Sequence, residues 1–280
     1  GPPNVLGAST CSGHGFTLPG AHRVVNMASN ETDLAPATLI TGASRGIGAA
    51  IARSLAASGH DLALTYRERR AEADAVAAEC RAIGAKVVVI EADFADLERT
   101  AEVVPEAVAS LGRLTGLVNN AGITGMIGPF LDATADEDER VMRINVLAPL
   151  ILTRAAIAHM ALSRGGAGGA VVNISSGAAT TGAPDTYISY ATSKAALNIL
   201  TVGAAKEFAR DGVRVNTVSP GTTFTEIHAS AGRPNAPEER ASRMAMGRAA
   251  YPEEIAGAVA YLLSPAASYT NGADIRMTGG

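Results

Sequence analysis

A doubly wound α/β domain, built on one seven-stranded parallel sheet with helices on both faces, is the fold this sequence predicts. Three observations lead to it. Short runs that are apolar at consecutive positions recur from Ala37 to the C-terminus. Segments with helical spacing separate them, and no linker or internal repeat breaks the alternation. Strands apolar on both sides must be covered on both sides, and helical crossovers make such strands parallel.

The expected strands are Thr38–Thr41, Asp61–Tyr66, Lys86–Glu91, Gly116–Asn119, Ala170–Ser175, Val213–Ser219 and Asp274–Met277. The expected helices are Ile47–Ser58, Ala71–Ile83, Leu97–Leu111, Glu137–Ala161, Tyr190–Asp211 and Pro252–Leu263. In the second helix Val76, Cys80 and Ile83 fall at i, i+4 and i+7, one buried stripe, so Cys80 reads as core and not as a nucleophile. Residues 1–36 lack such periodicity and are read as an N-terminal tail, disordered or left over from expression, with the domain at 37–280. Met27 is the expected native start, and the opening Gly-Pro reads as a protease scar.

The composition narrows the function classes. The chain of 280 residues is 47% hydrophobic and 18% charged, with a formal net charge of −4. A mildly acidic balance argues against nucleic acid or an anionic membrane as the main partner. No apolar run is read as approaching the roughly 20 residues that span a bilayer. Cys11 and Cys80 cannot make a disulfide framework, which fits a cytoplasmic location. The few histidines show no metal-ligand spacing, so no metal site is expected.

The first strand runs into Thr41-Gly42-Ala43-Ser44-Arg45-Gly46-Ile47-Gly48 and then a helix. Glycines at a strand-to-helix turn let backbone approach a pyrophosphate, and the helix start offers free N–H groups and a positive dipole end. Taken alone, this is also what an ordinary Gly-rich turn looks like. Further along lie Asn119-Asn120-Ala121-Gly122 after the fourth strand, Asn145 in a long helix, and Ser175-Ser176 closing the fifth strand. Tyr190-Ala191-Thr192-Ser193-Lys194 opens the next helix, and Pro220-Gly221 with Thr225 follows the sixth strand.

Together, in order and from Ala37 to Gly280, these motifs resemble the short-chain dehydrogenase/reductase family, in particular its glucose-dehydrogenase-like and 3-oxoacyl-carrier-protein-reductase-like members. The resemblance implies a Rossmann fold and hydride exchange between a nicotinamide cofactor and a carbonyl or secondary alcohol. It implies cofactor contacts at Gly42, Ser44, Arg45, Gly46, Ile47, Gly48, Asp93, Phe94, Asn120, Ala121, Gly122, Tyr190, Lys194, Pro220, Gly221 and Thr225. It also implies a homotetramer formed through the helices beginning near Glu137 and Tyr190 and through the C-terminal segment, and a lid over the substrate at about 222–248.

Cofactor choice turns on the end of the second strand, Leu64-Thr65-Tyr66-Arg67. An acid there would hold the ribose hydroxyls and repel a 2′-phosphate. None is present at Tyr66, whereas Arg67, with Arg45, offers guanidinium forks suited to phosphate, so NADP(H) is expected over NAD(H). The plain alternative for Arg67 is a solvated charge at a helix start.

Tyr190 and Lys194 stand at i and i+4 on one helix face. A phenol with an ordinary pKa near 10 needs help to exchange a proton at neutral pH, and a nearby ammonium favours its phenolate. By resemblance Ser176 holds the substrate oxygen, Lys194 also binds the nicotinamide ribose, and Asn145 links Lys194 to bulk proton supply through its backbone and a water. Each residue alone has an ordinary structural reading: a surface pair, a turn serine, a solvated asparagine. Tyr187 lacks a lysine four residues on and is set aside. Ser176 lies one residue further from Tyr190 than the family's commonest spacing. The lid carries Glu226, His228, Arg233, Pro234, Glu238, Glu239, Arg240, Met244 and Met246, which do not name a substrate. The expected function is NADPH-dependent carbonyl reduction. The alternatives are an oxidative sugar or polyol dehydrogenase and a non-catalytic nucleotide-binding sensor.

Overall fold

In the computed structural model the described residues are Gly1, 34–227, 229–242 and 244–280. The chain divides into two units, Gly1–Leu34 and Ala35–Gly280, and every element below belongs to the second. Of the expected tail, residues 2–33 lie outside the described residues, Cys11 and Met27 among them. The order is β1 (Ala37–Ile40), α1 (Gly46–Ala57), β2 (Asp61–Tyr66), α2 (Arg70–Ala82), β3 (Val87–Glu91), α3 (Leu97–Leu111) and β4 (Gly116–Asn119). Then come α4 (Ala135–Met142), a π-helical turn (Arg143–Leu147), α5 (Ala148–Met160), β5 (Gly169–Ile174), α6 (Ala178–Thr181) and α7 (Ile188–Phe208). The chain closes with β6 (Val213–Pro220), α8 (Ala236–Ala241), α9 (Pro252–Leu263) and β7 (Asp274–Met277).

All seven strands are parallel, in the order β3-β2-β1-β4-β5-β6-β7. Consecutive residues of each strand serve opposite layers, because side chains alternate across a sheet. Leu39, Leu117 and Val171 pack with α3, α5 and α7. Their neighbours Ile40, Val118 and Val172 pack with α1, α2 and α9. The strand order reverses between β1 and β4, where loops leaving the two strands part to opposite faces and open a crevice.

Three local expectations are corrected. Val76 and Cys80 are buried, but Ile83 is 56% exposed. The helix ends at Ala82, so Ile83 caps it outside the stripe. The single helix expected over Glu137–Ala161 is α4, a π turn and α5 in continuous succession, the Ala148 N–H reaching back to the Arg143 carbonyl. Pro149 follows and has no N–H for the carbonyl of Asn145 four residues earlier, so that group lacks its α-helical donor. Finally, Ala135–Met160 is long and apolar enough to cross a membrane by length and composition, contrary to the reading that no run approaches this. Half of its apolar window is buried in this domain. Ile144, Leu152, Ala156, Ile157 and Met160 all belong to the core on one face of the sheet.

A buried polar ladder crosses the middle of the sheet. The Asn119 amide donates to Asn173 Oδ1 (2.8 Å) and to Thr153 Oγ1 (2.9 Å). Asn173 donates to Thr201 Oγ1 (2.8 Å), which is 2.7 Å from Thr217 Oγ1. Polar groups inside a core are tolerated when they find partners; here the pairs tie β4, β5 and β6 to α5 and α7, while Asn119 Oδ1 is buried without a partner among the described residues. Asn173→Ala should destabilise the domain by about 1–3 kcal/mol, because it removes the acceptor of one Asn119 amide hydrogen and the donor to Thr201. Equilibrium urea unfolding measures this, and a loss below about 0.5 kcal/mol would show the ladder to be dispensable.

Candidate active site

A cleft of about 1090 Å³ opens at the carboxyl ends of the strands. Its outer part is the turn from β1 into α1. Gly42 and Gly46 take φ of +65° and +54°, left-handed values that side chains resist. A Cβ on Gly48 would stand 2.3 Å from the Gly42 carbonyl oxygen and 2.6 Å from Asn120 Nδ2, so only glycine lets the helix start come this close. The first turn of α1 carries no side-chain cap and no acid. Its N–H groups and positive dipole end therefore suit a diphosphate.

Hydrogen bonds fix the turn from beneath. Thr65 Oγ1 accepts from Gly42 N (3.0 Å), and Thr41 Oγ1 accepts from the N–H groups of Asn120 and Ala121 (2.9 Å each). Asn120 donates its amide to the carbonyls of Thr41 (2.8 Å) and Gly42 (3.0 Å), so its side chain acts as a brace. Neither threonine was singled out in the sequence, where a hydroxyl at a strand end is an ordinary feature.

Ser44, Arg45, Ile47, Arg67, Asp93, Ala121, Gly122, Pro220, Gly221 and Thr225 also line the cleft. Asp93 Oδ1 accepts from Ala95 N (2.9 Å) in an exposed turn. Phe94 lines the cleft but packs mainly into the core. Gly221 N donates to the Met277 carbonyl (2.8 Å), and a Cβ at Gly221 would meet Thr278 Cα at 2.8 Å. Thr278 is thereby brought to the cleft wall, a residue the sequence did not mark. Arg67 forms an ion pair with Glu68 (2.8 Å), and Arg69, also missed, stands on the same wall.

At the inner end Ser176, Tyr190 and Lys194 line the same cleft, although 14 to 18 residues separate the serine from the helical pair. Lys194 Nζ donates to the Ile174 carbonyl (2.8 Å) and lies 5.6 Å from the centre of the Tyr190 ring. The neighbouring Ser175 donates to the Lys194 carbonyl (3.0 Å) and so fixes α7 from below. Asn145 is buried behind the cleft and does not line it. Its amide pairs with both the N–H (3.0 Å) and the C=O (2.8 Å) of Ile123, and it donates to Ser193 Oγ (3.0 Å). Gly122 leaves room for this arrangement, since a Cβ there would lie 3.1 Å from Asn145 Oδ1 and 3.3 Å from Lys194 Nζ.

Burial dominates the electrostatics of this end. It pushes the Tyr190 phenol well above its ordinary value, with Tyr187 adding to the rise and a hydrogen bond from Ser176 opposing it. Burial likewise lowers Lys194 to about 8. A net lowering of the phenol by the lysine, expected from the i, i+4 pairing, is therefore not the state of this site. The ammonium is itself disfavoured there, and its hydrogen bond goes to a carbonyl.

Described residues of the segment 222–248 line the cleft, among them Thr225, Glu226, Arg240 and Met244. The segment's stem is closed by Ala250 N to Thr222 O and Phe224 N to Ala250 O (2.9 Å each). Arg240 on α8 donates to the Tyr187 hydroxyl (3.0 Å), and the Tyr187 ring meets Tyr190 edge-on at 5.1 Å. Glu238 and Glu239 are exposed, as a solvated face requires, and Glu239 pairs with Arg233 (2.9 Å). His228 lies outside the described residues. The longer loop between Ser176 and Tyr190 holds α6 and a turn in which Ala183 and Asp185 take positive φ. The acids Asp136, Glu137 and Asp138 occupy the first turn of α4, where the helix dipole favours them. No cluster of metal ligands occurs among the described residues.

Residues 42–280 match a family model described as enoyl-(acyl carrier protein) reductase. The uncharacterized oxidoreductase YgfF of Escherichia coli is 40% identical over 242 residues, 86% of this chain and 98% of that protein. An L-rhamnose 1-dehydrogenase (NAD(P)(+)) from a Sphingomonas species is 34% identical, over 86% of this chain and 94% of its own. Among solved structures, a short-chain dehydrogenase from Burkholderia cenocepacia in complex with NADP superposes with a TM-score of 0.80 at 36% identity. That match covers 88% of this chain and 97% of the other. With this sheet order, this glycine turn and this Ser-Tyr-Lys convergence, the chain belongs to the short-chain dehydrogenase/reductase family of oxidoreductases.

Proposed function

We propose that this protein is an NADP(H)-preferring oxidoreductase that reduces a carbonyl of a small molecule to a secondary alcohol, with Tyr190 as general acid. The observation that carries the reading is the convergence of Ser176, Tyr190 and Lys194 at the inner end of a cleft whose outer end is an uncapped, acid-free helix start. Gly42, Gly46 and Gly48 would hold the diphosphate of the cofactor, and Arg45 and Arg67 its 2′-phosphate. The bound nicotinamide supplies the hydride.

The side chains supply the proton and the orientation. Ser176 Oγ and Tyr190 Oη together present hydrogen bonds to one substrate oxygen. As negative charge grows on that oxygen, the Tyr190 O–H bond breaks and its proton passes to the oxygen, leaving a phenolate beside Lys194. A phenol raised by burial stays protonated at neutral pH, the state a proton donor needs. The Asn145 carbonyl, freed of an α-helical donor by Pro149, is the group from which a water would reach Lys194 to restore the proton. A homotetramer is supported by apolar side chains left exposed on the helices, Ile199 and Val202 on α7 and Leu147 at the end of the π turn. An oxidative sugar or polyol dehydrogenase uses the same groups in reverse. It draws support from the rhamnose dehydrogenase likeness and from the charged lid.

Tyr190→Phe should retain nucleotide affinity, read by nucleotide fluorescence, and lower kcat by at least about 100-fold. Unchanged turnover would overturn the acid–base role, and absence of nucleotide binding in the parent enzyme would overturn the cofactor reading. Arg67→Ala should weaken NADPH by about 3- to 10-fold and leave NADH unaffected, since only the phosphate loses a charge-assisted bond. Equal losses would refute phosphate pairing.

The buried lysine gives a pH signature. A folded-state pKa near 8, against 10.5 in the unfolded chain, means that the ammonium opposes folding by about 3 kcal/mol below pH 8. The penalty fades as pH rises from 8 towards 10.5. Lys194→Met should therefore raise the thermal midpoint at pH 7, by less at pH 10, while abolishing turnover. A stability difference that does not change between these pH values would show that Lys194 ionises as it does in water.

A further inference from the structure

Glu226 reaches from the start of the lid across the mouth of the cleft. Its Oε2 pairs with Arg45 Nη1 and lies 3.5 Å from Arg69 Nη1. The two guanidiniums belong to the residues that precede α1 and α2, so one carboxylate links the lid to both helix starts. The neighbouring Thr225 sets the reach: its Cγ2 lies 3.4 Å from where a Cβ on Gly46 would be, which seats the lid on the glycine turn. Arg69 is shared with Glu72 (3.3 Å), and Arg67 is held by Glu68 (2.8 Å). The side chain of Glu226 remains 54% exposed, so an incoming anion can reach the pair from solvent.

We propose that Glu226 is a cofactor-discriminating residue whose carboxylate competes with the ribose 2′-phosphate for Arg45 and Arg69. The proposal rests on the NADP(H) reading above. A phosphate monoester carries between one and two negative charges more than a hydroxyl and has three acceptor oxygens. It can satisfy both forks at once, where Glu226 offers them a single shared oxygen. Binding of the phosphorylated dinucleotide then exchanges an intramolecular anion for the phosphate and unfastens the first turn of the lid. A dinucleotide with a free 2′-hydroxyl has no charge to displace the carboxylate, and the lid stays tied to both helices. Glu226 thus lowers the absolute affinity for NADP(H) while making lid release conditional on the phosphate. Because the pair is exposed, the competition is worth a few-fold and not orders of magnitude.

The test is calorimetric titration of the full chain and its Glu226→Gln variant with NADPH, NADH and 2′,5′-ADP, which carries the phosphate without the nicotinamide. The variant should bind NADPH and 2′,5′-ADP about 2- to 5-fold tighter at low salt with NADH unchanged, and the gain should shrink near 0.5 M salt as the charges are screened. Equal gains for NADPH and NADH would overturn the proposal in favour of a simple lid clamp. Unchanged or weaker NADPH binding would also overturn it. If the parent prefers NADPH yet the variant changes nothing, the competition fails and the cofactor reading stands. If the parent shows no preference but the variant gains for NADPH alone, the competition stands and the preference fails.

Discussion

The junction between β1 and β4 holds apart two loops that leave the sheet on opposite faces, and the site is built on the spacing between them. Thr41 is the pivot. Its hydroxyl accepts from the backbone of Asn120 and Ala121, while the Asn120 amide returns to the carbonyls of Thr41 and Gly42. Gly48 presses the start of α1 onto this cluster so closely that a Cβ would stand inside the contact radius of two of its atoms. Loosening the cluster would move the helix start, and with it every N–H aimed at the cleft. The crevice of a doubly wound sheet is a consequence of strand order, but its width is set by these few short bonds.

At the other end of the cleft the same compactness opposes stability. Tyr190 and Lys194 are buried, and burial moves both away from their charged forms. Such groups persist because surrounding structure over-determines them. Ser175 bonds the backbone of Lys194, Ser193 bonds the backbone of Tyr190, and Asn145 joins Ser193 to the loop at Ile123. The π turn that carries Asn145 is part of this scaffold. It interrupts a helix that would otherwise satisfy all of its own carbonyls, and irregularities of this kind occur disproportionately at functional sites.

The segment 222–248 has residues at both ends of the cleft. Its stem is zipped to Ala250, its first acid reaches the arginines beside the glycine turn, and its short helix reaches Tyr187 next to Tyr190. The two ends of one cleft are thereby connected through a segment held by backbone bonds at its stem and by exposed ion pairs beyond it. Weak contacts of that kind exchange readily, which is what a covering segment requires.

Most strands were legible because they are apolar at consecutive positions, a pattern that forces burial on two faces, whereas the edge strand β7 (Asp274-Ile275-Arg276-Met277) alternates and is partly exposed; the expected ends fall within a residue of the observed ones. The glycine turn was legible because backbone conformation there excludes other side chains. The Tyr-Lys pair was legible because 3.6 residues per turn places i and i+4 on one face whatever surrounds them. Less local features were not. Ile83 fits the stripe by periodicity but falls outside it, because only the tertiary end of α2 decides where the period stops. The π turn left one trace, Pro149 four residues after Asn145, and that was not used. That the lysine bonds a strand carbonyl, and that the phenol's proton is tightened by burial, depend on how deeply α7 sinks against β5. The pairing of Glu226 with Arg45 spans 181 residues and joins two exposed charges. Sequence determined the layers, the glycine turn and the placing of Tyr190 and Lys194 on one helix face, because propensity and periodicity are local. Tertiary structure alone decided protonation and charge pairing, because both depend on which groups share a volume from which water is excluded.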